Sequence, residues 1–429
     1  MPLSPLHRQN FRHLYLDIAW FGVLNGSAMS FMLIFATRLG ASPFQIGLLS
    51  AVPAIVALLF TLPAGGWLQK REISRGVFWS SLLFRLFYAS WIFLPWLGGA
   101  TTQVWMLTLL VLLMSIPGTA LAVGFNALFA AAVPEAHRGA VVGRRNALLA
   151  ITFIATSLLC GVLLEWLPFP TGYQVVFALG AVGALASSYH LYHVRPVGEE
   201  QPIAPPAGKE RPHDLARPGT MPSTGQTPRI QVGLRHLIGF VPANQQQHLL
   251  STLPFLRIVF LLFFFHLAQH LAIPLFPLAW VNRVGLSDGV LSLGNALFYT
   301  ALLVGSLNLA RLSGRLGNRR LLAIGILGMA AFPVLTALTT DTPLYLVTSL
   351  VGGLAWSLAG GAIGNYLLER TPPANRPAYL AWYNLALNAA ILLGSLTGPL
   401  LADRLGLVVA LLIAATGRLL AGLLIWRWG

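Results

Sequence analysis

Charge is what this chain has least of. Of its 429 residues only 9% are Asp, Glu, Lys or Arg, where an ordinary soluble domain carries about 25%. With 56% hydrophobic residues and a mean hydropathy of +0.73, a water-soluble globule of this size is excluded. Cysteine is nearly absent: the single one, Cys160, lies in an apolar run, which excludes an internal disulfide and a thiolate metal cluster. No Walker phosphate loop, H-E-x-x-H pair, Ser-His-Asp set or paired intramembrane carboxylates can be found, so direct ATP hydrolysis and the common hydrolytic reactions have no residues to run on. No enzyme site, cofactor or metal is expected. The N-terminus also lacks the short apolar region and small-residue cleavage site of a signal peptide, so the first apolar stretch, after Pro2, Pro5, Arg8 and Arg12, is expected to stay as a helix.

What the chain does have is long apolar runs. At a rise of about 1.5 Å per residue, a hydrocarbon core of about 30 Å takes roughly 20 residues per crossing. Runs bounded by charge, Pro and Gly predict twelve spanning helices, over 14–37, 45–68, 76–97, 102–132, 143–165, 173–193, 253–281, 290–312, 320–340, 343–368, 378–401 and 405–427. The expected fold class is an all-α polytopic membrane protein. Its expected organisation is an N-terminal six-helix half (1–193), a linker (194–252) and a C-terminal six-helix half (253–429). The linker holds nine Pro and six Gly and reads as a tether rather than a domain. Within it, 230–240 is either a short interfacial helix, with Ile230, Leu234, Leu237 and Ile238 opposite Arg235, or extended chain.

The net charge of +15 is explained by sidedness. The two ends and the loops after even-numbered segments, counted with the segment ends that flank them, hold 22 Lys and Arg, whereas the other side holds only Arg38, Arg283 and Arg404. By the positive-inside rule both termini and the linker are cytoplasmic, in the plasma (inner) membrane. The basic residues therefore follow topology and imply no nucleic-acid partner; the expected partners are the lipid bilayer and a small-molecule solute, and the expected state is a monomer. The remaining two, Arg85 and Arg418, fall inside segments 3 and 12.

The chain also repeats itself. Arg38-Leu-Gly-Ala-Ser42 and Arg283-Val-Gly-Leu-Ser287 share R-x-G-x-S at an offset of 245, and the same offset sets Lys70 on Arg315 and Arg75 on Arg320. Arg138 with Asn146 matches Arg376 with Asn384, and Pro134 matches Pro372, at an offset of 238.

These features resemble the major facilitator superfamily, whose two six-helix halves are parallel repeats and whose 2/3 and 8/9 loops carry a G-x-L-x-D-R-x-G-R-R-like motif. In the 8/9 loop Leu312, Arg315, Gly317, Arg319 and Leu322 match, with Ala310 and Gly314 in place of the first Gly and the Asp. In the 2/3 loop Gly65 and Lys70 match, with Gln69 in place of the Asp. The 4/5 stretch P-E-A-H-R-G at 134–139 is also similar. The resemblance implies alternating access about a midplane cavity faced by helices 1, 4, 7 and 10.

Ionisable groups inside a bilayer are costly and mark function by default. Asp17 lies about one turn inside segment 1. It is a proton-coupling candidate, a gate partner for Arg138 or Arg144, or a hydrated carboxylate at a helix end. His266 and His270, four apart in segment 7 with Gln269 between them, line nearly one face; since imidazole titrates near physiological pH they are proton- or substrate-handling candidates, or else neutral histidines bonded to neighbouring helices. The repeat sets His270 on Asn25, and the resemblance, in which helices 1 and 7 face the cavity, implies that the two meet near the midplane. Asn126, Trp356, Asn365, Trp382, Asn384 and Asn388 are further cavity candidates, or else interhelical and interfacial anchors. Arg85 shows no obvious acid at its depth; contact with an anionic substrate is one reading, but helix 3 is peripheral in the resembled fold, so it is expected to snorkel or bond a carbonyl. Gly22/Gly26 and Gly394/Gly398 read as close helix-packing pairs. The expected function is a secondary transporter of a small organic solute, neutral or amphipathic, with proton coupling. The alternatives are a non-transporting sensor or accessory factor on the same scaffold and, with no catalytic set in its favour, a membrane enzyme.

Overall fold

The computed structural model describes residues 4–197, 253–371 and 376–429; the linker from 198 onward, including 230–240, and Pro372 lie outside them. Among the described residues twelve helices are long and apolar enough to cross a membrane: α1 Pro5–Arg38, α2 Pro43–Gln69, α3 Ile73–Trp96, α4 Ala100–Ala132, α5 Glu135–Trp166, α6 Thr171–Tyr192, α7 Phe255–Arg283, α8 Asp288–Leu307, α9 Asn318–Leu338, α10 Thr342–Glu369, α11 Tyr379–Leu405 and α12 Leu407–Trp428. Each predicted segment coincides with one of them. The main boundary differences are two early starts. α1 begins at Pro5 because Ser4 and His7 form a capping box ahead of it. α5 begins at Glu135, so the 4/5 stretch is helix rather than loop.

The R-x-G-x-S repeat has a local cause. Gly40 and Gly285 take φ of +78° and +74°, the left-handed turn that ends one helix. Two residues later the side chains of Ser42 and Ser287 accept hydrogen bonds from the Gln45 and Val290 amides and start the next. Gly317, shared with the family motif, likewise sits at φ +76° between the short helix Leu309–Leu316 and α9.

The halves are built alike. In the first, α1 packs on α5 and α6, α2 on α4, and α3 on α4 and α6; in the second, α7 packs on α11 and α12, α8 on α10, and α9 on α10 and α12. Adding six to each helix number of the first half reproduces the second. The halves meet through α5 on α8 and α2 on α11, a pair that the same operation exchanges.

Small residues set these crossings. A Cβ on Gly26 would meet the Phe153 carbonyl of α5 at 2.6 Å, and one on Gly394 the Leu267 carbonyl of α7 at 2.7 Å. A Cβ on Gly398 would collide with the Leu271 carbonyl. Gly398→Ala is therefore expected to push α7 and α11 apart and lower stability by about 1–3 kcal/mol. The check is the melting temperature of purified protein; an unchanged value would remove the packing role.

Candidate functional site

α7 is interrupted where Pro274 and Pro277 withhold their amides. Regular helix runs over Leu253–Ala272, then a turn, Leu275–Pro277, and a π-helical stretch Leu278–Arg283. α1 carries its own π stretch over Asn25–Met29. Such wide turns re-aim side chains and recur at functional sites.

Between the two interruptions lies a cavity of about 430 Å³. α7 supplies His266, Gln269, His270, Ile273, Phe276 and Trp280; α8 supplies Asn295, Phe298 and Tyr299; α9 supplies Met329 and Phe332; Trp356, Leu387 and Ile391 come from α10 and α11. The other half contributes Ser30 and Phe153. No Asp, Glu, Lys or Arg is among the lining residues.

The histidines are differently held. His266 is buried at 2% exposure, with Nε2 2.9 Å from the Tyr383 hydroxyl and Nδ1 without a partner among the described residues. His270 is half-buried, and its Nδ1–H donates to the His266 carbonyl at 2.9 Å. Among the described residues the buried Gln269 Oε1 and the Trp280 indole N–H are also unpartnered, so the wall presents hydrogen-bonding atoms that a solute can complete.

Sequence reasoning thus placed His266, Gln269, His270 and Trp356 together. Asn25 does not line the cavity: it opens the π stretch, and from α1 it is Ser30, just beyond that stretch, that reaches the wall. Asn126 and Asn365 sit toward the terminal-face ends of α4 and α10, and the Asn126 side chain reaches the Ala122 carbonyl at 3.2 Å. Asn388 is buried on α11 beside the lining residues, and its amide donates to the Asn384 carbonyl at 2.8 Å. Ser30, Trp280, Asn295 and Tyr299 were missed. Asn295, an amide within the apolar stretch of segment 8, was the available signal.

Asp17 and Arg85 require correction. Asp17 is 3% exposed and meets neither Arg138 nor Arg144 in an ion pair. It pairs with Arg145 at 3.2 Å and with Arg85 at 3.7 Å, and accepts from Ser187 at 2.5 Å. Arg85 therefore has an acid at its depth, and Arg145, read as a loop charge, is a buried helix residue. Asp17 and Arg145 both fall inside the predicted segments 14–37 and 143–165; what the sequence did not show is that α1 and α5 pack with these two faces together.

In the loop motif Gln69, Lys70 and Arg315 are exposed, and a Cβ on Gly65 would meet open space. Arg319 donates to the Gly429 carbonyl at 3.0 Å. Among the described residues no group of three His, Cys, Asp or Glu could hold a metal ion.

The face away from the termini is closed between the halves. Arg38 at the end of α1 donates to Asp288 at 3.0 and 3.2 Å and to the Leu286 carbonyl at 2.5 Å. The Tyr173 hydroxyl donates to Asp288 at 2.9 Å, and the Gly289 amide to Glu165 at 3.0 Å. Deeper in, Ser157 reaches the Ser292 carbonyl at 3.2 Å, and the Phe153 and Tyr299 rings stack at 3.6 Å.

Two like-built halves around a cavity that is sealed on one side define a carrier that exposes a central site by rocking. The sequence pattern of the Major Facilitator Superfamily matches residues 18–265 and 258–429, and the chain belongs to that superfamily of secondary transporters. The fold resembles a bacterial homologue of the iron transporter ferroportin in its inward-facing state, with a TM-score of 0.69, 15% identity and coverage of 100% of this chain and 99% of that one. It also resembles the xylose transporter XylE from E. coli in a partially occluded inward-open form (TM-score 0.67, 16% identity, 99% and 98% coverage). The nucleoside transporter NupG aligns with a TM-score of 0.61, 13% identity and 99% coverage of both chains. No curated protein sequence is similar enough to count as a match.

Proposed function

We propose that this transporter moves a small organic solute, neutral or amphipathic, through the cavity on α7–α11, and that His270 carries a coupled proton. The observation behind the reading is the lining itself: aromatic walls, a few hydrogen-bonding groups and no carboxylate or Lys/Arg side chain. Apart from Tyr299, its titratable groups are His266 and His270. His266 is enclosed and engaged by Tyr383, whereas His270 is half-buried at the wall. Asp17, bonded to two guanidinium groups inside the other half, is poorly placed to exchange a proton with the cavity.

The excess of basic residues on one side supports placing the termini and linker in the cytoplasm, with the chain in a plasma (inner) membrane. The Arg38–Asp288 closure then lies on the outside, and the chain acts as a monomer. Reporters fused within 200–228 or after Gly429 are expected to read cytoplasmic; a periplasmic signal from either would invert the assignment.

The test of transport is flux into proteoliposomes for a panel of organic solutes with and without an imposed pH gradient. Gradient-dependent accumulation of unmodified solute supports the reading. Solute that enters at the rate of protein-free vesicles across the panel would favour a sensor or accessory role.

A further inference from the structure

The two halves treat their buried guanidinium groups differently. In the first, Arg85 and Arg145 share Asp17. In the second, Arg418 of α12 is 0% exposed, and among the described residues no acid pairs with it. Its Nη1 and Nη2 donate to the Met329 and Gln269 carbonyls at 2.9 and 3.1 Å. Its Nε has no partner, and the guanidinium carbon lies 6.0 Å from the Phe276 ring centroid. Met329, Gln269 and Phe276 are all cavity-lining residues, so Arg418 stands one residue layer behind the wall.

Carbonyl bonds satisfy N–H groups but leave the charge itself in place. A buried cation without a counterion is expensive, and within a membrane such groups mark substrate or ion paths. Snorkelling offers no relief, because the guanidinium is tied to backbone of both α7 and α9. The charge acts on the cavity through apolar surroundings that screen it weakly.

We propose that Arg418 holds the cavity at positive potential and that the solute is an amphipathic monoanion, an apolar or aromatic body bearing one carboxylate-type group. This rests on the transport reading above and deepens it. Phe276, Trp280, Phe332 and Trp356 receive the body. The anionic group lies toward the Gln269–Met329 wall, where Arg418 supplies the missing opposite charge and no acidic side chain repels it. A cationic solute of the same shape meets the same guanidinium with the wrong sign.

The test compares three probes of one shape, 2-naphthoate, 2-naphthamide and 2-naphthylmethylammonium, by equilibrium dialysis against the solubilised full-length protein. Wild type is expected to bind naphthoate about tenfold or more tightly than the amide, with the ammonium weakest. Arg418→Lys should keep the order, and Arg418→Gln should bring acid and amide within about twofold by weakening the acid. The wild-type order is read without any variant, so a variant that fails to fold does not remove the test. Amide binding equal to or tighter than acid, or no binding of any probe, overturns the proposal. So does a preference that Arg418→Gln retains. Proteoliposome flux separates the two levels: transport confined to neutral solutes defeats the charge inference alone, and absence of all transport defeats the underlying reading.

Discussion

Protein carrying His270→Gln is expected to lose gradient-driven accumulation while keeping solute exchange at equal pH. Glutamine retains hydrogen-bonding capacity near the wall but holds no exchangeable charge, so it removes the proton and leaves the site. A coupling group must face each side in turn and change protonation between them. His270 meets the positional requirement as a half-buried lining residue on the helix that Pro274 and the π stretch interrupt. His266→Gln, inside the protein and against Tyr383, is expected to reduce transport less. The measurement is accumulation and counterflow of one transported solute in proteoliposomes. Accumulation that survives His270→Gln would place the proton elsewhere, and loss of both activities together would make His270 a binding or packing residue.

Asp17→Asn is expected to cost more stability than any other single change considered above. The substitution nearly preserves shape but strips the counterion from Arg85 and Arg145, both buried. Removing one partner from a buried ionic group typically costs about 3–5 kcal/mol, because the remaining charge is left uncompensated. Ser187 would keep an acceptor, and Arg145 would keep its 2.6 Å bond to the Leu14 carbonyl, so hydrogen bonding alone does not offset the loss. Replacing all three by apolar residues of similar volume, Asp17→Leu with Arg85→Met and Arg145→Met, should restore much of it. Melting of the single and triple variants in detergent checks both statements; an Asp17→Asn protein as stable as wild type would show that the cluster is hydrated rather than sealed.

Amino-acid order alone was enough for the spans, their alternation and the duplication. Apolar runs of membrane length are local features, and the R-x-G-x-S turns work through the φ of Gly40 and Gly285 and the caps Ser42 and Ser287, within a few residues of each other. His266, Gln269 and His270 were legible for the same reason, being polar and one turn apart in an otherwise apolar helix. Tertiary structure alone decided which faces look inward and which charges meet. A membrane helix is apolar toward lipid and toward its neighbours alike, so hydrophobic periodicity does not mark the face turned to a cavity. From α1 it is Ser30, not Asn25, that lines the site. Asp17 finds Arg145 across 128 positions of chain, while Arg418 finds carbonyls and no acid. Those pairings follow from how α1, α3, α5 and α6 pack in one half and α7, α9 and α12 in the other, because a buried charge is compensated only by what the packing brings within a few ångströms.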